Sequence, residues 1–166
     1  MKLTQIRSVA QPLCLATLLA LSGSLVSCGS RGGGANVPPP VDPEVAVRTF
    51  LYAVSANSIA GMGQLWGTSD GPASDKMDQT VLEQRLTVIR IYLEHEEFVI
   101  VPGDPVAGVN LEAGELAVFV QLSRKGCTPV VPFTLVPYRG GWLIRSIDLA
   151  SAGNPIRRCQ PELLPA

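Results

Sequence analysis

The residues of this chain that could do chemistry fall into three groups: the cysteines, a lone histidine among glutamates, and an aspartate beside an arginine. The cysteines are Cys14, Cys28, Cys127 and Cys159. They lie too far apart, with only His95 as a companion imidazole, to match the paired spacing of a zinc site. His95 sits in Glu94-His95-Glu96-Glu97, the composition of a solvated, charged helix end. Asp148 follows Arg145 closely enough for the cation to neutralise it. No nucleophile elbow, phosphate-binding glycine loop or paired-carboxylate constellation accompanies them. Gly32-Gly33-Gly34 has no strand before it and reads as linker. The residues therefore predict no catalytic site, no metal and no cofactor.

These groups must be positioned by the elements between them. Asp42 can cap a helix, Pro43 suits its first turn, and Glu44 complements the dipole. Val47, Phe50, Leu51 and Val54 then form one apolar stripe at helical spacing. Asn57 or Ser58 breaks this helix and caps a short second one carrying Ile59, Met62, Leu65 and Trp66, with Gly67 as terminator. Residues 67–79 read as a polar loop. Thr80 and Glu83 have the spacing of a capping box for a third helix. That helix carries Leu82, Leu86, Ile89 and Leu93, with Arg90 and Glu94 spaced to pair.

Beyond Glu97 the apolar period changes to two. Strands are expected at 98–101, 115–124, 130–138 and 142–149. Pro132 and Pro137 imply bulges or missing ladder bonds in the third of these. The fold class is α+β: three N-terminal helices packed on a curved antiparallel sheet of about four strands. Charge is uneven along the chain. Residues 42–115 hold twelve acids against four bases, and residues 116–166 hold six bases against two acids. The C-terminal half could thus face an anionic surface. The bases are not clustered on one helix and no aromatic ladder accompanies them, which argues against nucleic acid.

Met1–Ser27 has the three parts of a secretory signal: Lys2 and Arg7, an apolar run from Leu13 to Val26, and a small-residue cleavage region. The run is too short and too broken by Gly23 and Ser24 for a membrane span. Leu25-Val26-Ser27-Cys28 resembles the lipobox of bacterial lipoproteins. The resemblance implies that Cys28 receives a diacylglycerol thioether and becomes the mature N-terminus, anchoring an exported protein to the membrane on the periplasmic side. Gly29 stands where an Asp would retain such a protein in the inner membrane, which favours the outer membrane. Residues 28–41 are then a Gly/Pro-rich tether reaching roughly 40 Å at about 3.3 Å per residue.

An exported domain is oxidised. In a meander, the turn holding Cys127 and the end of the last strand share one end of the sheet, so Cys127 and Cys159 are expected to pair. The bridge would contribute about 3–4 kcal/mol in the chain-entropy model.

The helix pair broken at Asn57, the segment GELAVFVQL and the closing GGWLIRSIDL resemble the nuclear transport factor 2-like, or cystatin-like cone, superfamily. The likeness spans about residues 42–149. The organisation expected is signal 1–27, tether 28–41, cone domain 42–160 and tail 161–166. Relatives include ketosteroid isomerases and polyketide cyclases, which pair a carboxylate or histidine base with a tyrosine or aspartate donor. By that resemblance the candidates are Tyr52 or Tyr92, His95 and Asp148. The short polar loop stands where larger members carry an extra hairpin, which implies an open, shallow cone.

Phe50, Val54, Trp66, Leu86, Ile89, Phe119, Phe133 and Trp142 fall on inward stripes and would line a cavity. They are almost wholly apolar. The expectation is a non-enzymatic binding or interaction module for an envelope protein or an apolar small ligand. The alternative is a small-molecule isomerase or cyclase.

Overall fold

Asp42 begins the first helix as its composition requires. In the computed structural model, which describes residues 37–102 and 111–156, its carboxylate accepts from the N–H groups of Glu44 and Val45 at 2.7 and 3.1 Å. Helix α1 runs Pro43–Ser55 and buries Ala46, Val47, Phe50, Leu51 and Val54 on one face. Burying each of its larger side chains contributes roughly 1.5–3 kcal/mol. Asn57 adopts a left-handed φ of 54°, which ends α1. The Ser58 hydroxyl then accepts from Gly61 N to cap α2, Ile59–Leu65. The signal segment, Cys28, most of the tether, Cys159 and the tail lie outside the described residues.

The expected polar loop carries more structure than its composition implied. Strands β1 (Gly67–Thr68) and β2 (Gly71–Pro72) form a minimal hairpin, followed by a 3₁₀ turn at Ala73–Asp75. Gly67 is required there, because a Cβ would overlap the Gly71 carbonyl. Helix α3 spans Gln79–Tyr92, and its cap is Asp78 rather than Thr80. The Asp78 carboxylate takes Thr80 N and Val81 N, while Glu83 is drawn to the Gln79 amide at 2.8 Å. The α3 residues Leu82, Leu86 and Ile89 are buried, with Leu93 just past its end.

Strands β3 (Glu97–Val101), β4 (Leu116–Ser123), β5 (Val130–Tyr138) and β6 (Gly141–Ile147) form an antiparallel sheet in chain order. The architecture is α+β, helices first and a curved four-stranded sheet after. The one register shift lies between Thr134 and Leu135 of β5, which pair with Ser146 and Ile144. Arg145 is thus the extra residue of a bulge, a device that bends the sheet. Neither proline is the site of a bulge, so of the two expected consequences only a missing ladder bond applies. Pro132 offers its carbonyl to Asp148 N at 3.0 Å, one residue past the end of β6, and having no N–H it returns no bond, which is the missing ladder bond expected of a proline there.

One sheet face, with Val118, Val120, Leu122, Val131, Phe133, Leu135 and Ile144, packs under the helices. Phe50 and Phe133 meet edge to face across this layer, with centroids 6.4 Å apart. The opposite face is also shielded from water, at Phe119, Thr134, Val136 and Leu143. Glu115 is buried beside them and is joined by Arg145, whose Nη2 donates to Oε2 at 2.9 Å. Arg145 Nε lies 2.7 Å from Oε1, a Coulombic contact out of line for a hydrogen bond. Glu112 takes the third contact at 3.2 Å. This is a correction for Arg145, which pairs with Glu112 and Glu115 and not with Asp148. It also draws a base of the C-terminal half onto acids of the N-terminal half.

Candidate functional site

The residues expected to line a cavity are mostly packing. Phe50, Leu86 and Phe133 are fully buried, and Val54 and Ile89 nearly so, all in one apolar cluster. Trp66 and Trp142 lean against that cluster and are partly exposed. Phe119 is buried on the opposite sheet face, outside the cluster, as alternation along β4 dictates. Of these eight, only Val54 borders any of the cavities described below, and that cavity is at the periphery.

The residues suggested by isomerase-like relatives scatter. Asp148 caps the turn after β6: its carboxylate accepts from Ala150 N, Ser151 N and, at 2.6 Å, the Ser151 hydroxyl. The Ser151 hydroxyl holds its pKa below the ordinary 3.8, against the opposing effect of burial and with the Ser151 and Ala150 N–H groups adding to the lowering. Tyr92 meets the rest of the fold through its carbonyl, which accepts from Arg124 Nη1 at 2.5 Å. Tyr52 is exposed and stacks edge-on against Phe98, with centroids 5.5 Å apart. His95 meets the same ring at 5.3 Å. Tyr52 and His95 therefore flank one phenylalanine on the surface.

What His95 does touch is Ser55. Its Nδ1 lies 2.7 Å from the Leu93 carbonyl, which can only accept, so Nδ1 carries the proton. Nε2 lies 3.0 Å from Ser55 Oγ. When the ring is neutral, Nε2 is an acceptor and competes with the Leu51 carbonyl, 3.2 Å away, for the single hydroxyl proton. Beside this pair, Arg90 Nη1 donates to Asn57 Oδ1 at 2.6 Å, in place of the ion pair to Glu94 that helical spacing suggested. Val54, Ser55, Asn57, Arg90, Glu94 and His95 enclose a cleft of about 180 Å³. A smaller one of about 80 Å³ continues past His95 to Arg124, Lys125 and Pro155.

This cluster is built where the last turns of α1 and α3 meet the start of β3. Pro40 O accepts from Trp142 N at 2.9 Å, which fixes the N-terminal end of α1 beside the β5–β6 turn. The cluster thus lies at the opposite end of α1, roughly 20 Å away at 1.5 Å per residue. At the near end, Val37, Pro38, Pro39, Gln64, Asp75, Tyr138 and Arg139 border a wider groove of about 620 Å³. The Arg139 guanidinium stacks 5.1 Å over Tyr138 there.

Arg124 holds the far end together. It is 8% exposed and donates to the Tyr92 carbonyl at the C-terminal end of α3 and to the Ala152 carbonyl. The negative end of the α3 dipole offsets its charge. Lys125 Nζ donates to Pro155 O at 3.3 Å. These ties draw residues 152–155 against the Arg124–Cys127 turn, in which Cys127 is buried. Sequence reasoning missed Ser55, Asn57 and Arg124 as partners, because each contact joins residues about thirty to forty positions apart.

Among the described residues no helix is long and apolar enough to cross a membrane, and no group of His, Cys, Asp and Glu is arranged to hold a metal. No protein-family description, curated protein or solved structure matches the chain.

Proposed function

We propose that the protein is an exported lipoprotein, anchored through Cys28, whose domain acts as a non-enzymatic interaction module of the nuclear transport factor 2-like kind. The observation that carries this reading is the division of labour in the fold. The space between helices and sheet is taken by Phe50, Leu51, Met62, Leu86 and Phe133, all fully buried. The clustered polar groups instead sit at the end of α1 farthest from the segment that would lead to the anchor. The lipobox-like Leu25-Val26-Ser27-Cys28 supports export and anchoring, on the periplasmic side and, through Gly29, on the outer membrane.

Shelter from water is what this kind of cone supplies to isomerase chemistry, and it needs a donor and a base around one substrate atom. Tyr52, Tyr92, His95 and Asp148 have no such common point. A bridge from Cys127 to Cys159 belongs to the same proposal. Pro155, four residues before Cys159, is tied to Lys125, two residues before Cys127.

Trp66 and Trp142 both lean on the core and report on it by fluorescence. Titration with a planar steroid should leave their emission unchanged. Saturable quenching would mean an open cone and would overturn the filled-core reading in favour of the isomerase or cyclase.

A further inference from the structure

The cleft at the far end of α1 carries an assignment beyond the general one. Arg90 is half-buried, and among the described residues no carboxylate forms an ion pair with it. Its Nη1 is spent on Asn57 Oδ1, which orients both groups and leaves the other guanidinium N–H groups and the Asn57 amide N–H groups as donors. The Ser55 hydroxyl borders the same cleft. A protonated His95 ring adds a positive charge, with Nδ1 donating to Leu93 O and Nε2 to Ser55 Oγ. The acid on this wall is Glu94. Across the adjoining cleft the ring faces Glu96, Arg124 and Lys125.

We infer that this cleft binds a carboxylate, with Arg90 as its principal partner and the Asn57 amide as a neutral donor. The inference rests on the reading of the domain as a binding module and names the chemistry of its ligand. A guanidinium presents parallel N–H groups that match the two oxygens of a carboxylate. About 180 Å³ accommodates that group with a few further atoms, as a free small acid or as the end of a peptide. Glu94 opposes the ligand, so its removal strengthens binding, and protonation of His95 strengthens it also.

The test is an NMR titration of the full chain in detergent micelles, following the Arg90 side chain and the His95 ring. The probes are N-acetyl-glycyl-glycine, the same peptide with a C-terminal amide, and acetate. The peptide acid should give a saturable shift and the amide none. If acetate binds as tightly as the peptide acid, the site takes free small acids. If the peptide acid binds more tightly, it takes chain ends.

Arg90→Gln should weaken binding of the peptide acid at least tenfold, and Glu94→Gln should tighten it. Equal binding of acid and amide, no saturable shift with any probe, or undiminished binding by Arg90→Gln would overturn the assignment. The comparison of acid with amide uses the wild-type chain, so it holds even if a variant misfolds. Repeating it with Cys28→Ala separates the two claims, because the cleft does not depend on the anchor.

Discussion

Replacing Arg124 by Met tests the account of how the far end of the domain is held. The guanidinium makes two charge-assisted bonds, to the Tyr92 and Ala152 carbonyls, from a position 8% exposed. Hydrogen bonds to a charged group contribute about 1.5–3 kcal/mol each, and a buried carbonyl left unpaired costs about 1–3. Against this, Met keeps the packing of the aliphatic stem and removes the desolvation penalty of a buried cation. The net loss is about 2–4 kcal/mol. For a domain of this size it lowers Tm by roughly 8–16 °C, at about 4 °C per kcal/mol. Urea unfolding of the full chain, with Arg85→Ala as an exposed control expected within about 0.5 kcal/mol, supplies the measurement. A Met variant as stable as wild type would show that Arg124 is an ordinary surface residue and that residues 150–156 are held by something else.

Other consequences follow from single contacts. Gly141→Ala places a Cβ onto the carbonyls of Pro39 and Pro40 and should cost about 1–3 kcal/mol, read as a lower Tm. It should also speed proteolysis near residues 37–41 as that segment lifts from β6. Asp42→Ala removes the acceptor for Glu44 N and Val45 N and should cost about 1 kcal/mol in urea unfolding. Asp148 has its pKa depressed by the Ser151 hydroxyl and two backbone donors, so its contribution is complete above the ordinary carboxylate range and lost as pH falls through the lower folded value. Asp148→Asn should therefore be less stable than wild type at neutral pH, with the difference shrinking as pH falls through the lowered folded value.

The parts of the fold that were legible are those written in short-range terms. Asp42-Pro43-Glu44 and the stripe at Val47, Phe50, Leu51 and Val54 specify α1 within a few residues. Alternation from Leu116 to Leu122 specifies β4. The start of α3 was displaced by two residues because Asp78 and Thr80 are both good caps, and only the observed bonds show that the aspartate is used. The mini-hairpin at 67–72 was hidden because its first strand depends on a glycine whose neighbour across the turn is a backbone carbonyl, a contact that polarity does not report.

The candidate site was the least legible. His95 and Ser55 are forty residues apart, and nothing near either one announces the other. Arg124, next to Lys125-Gly126, reads as a surface cation at a turn. It is buried only because the end of α3 and the segment after β6 converge on it. The acidic and basic halves of the chain do not form separate faces throughout, since Arg145 closes onto Glu112 and Glu115.

The central claim, an interaction domain held at a membrane by a lipid on Cys28, is tested most directly by intact-mass analysis of the mature protein from cell membranes. The expected species begins at Cys28 and carries diacylglycerol, and it is lost in Cys28→Ala. A mature chain that begins elsewhere, or that begins at an unmodified Cys28 and is recovered in the soluble fraction, would contradict it.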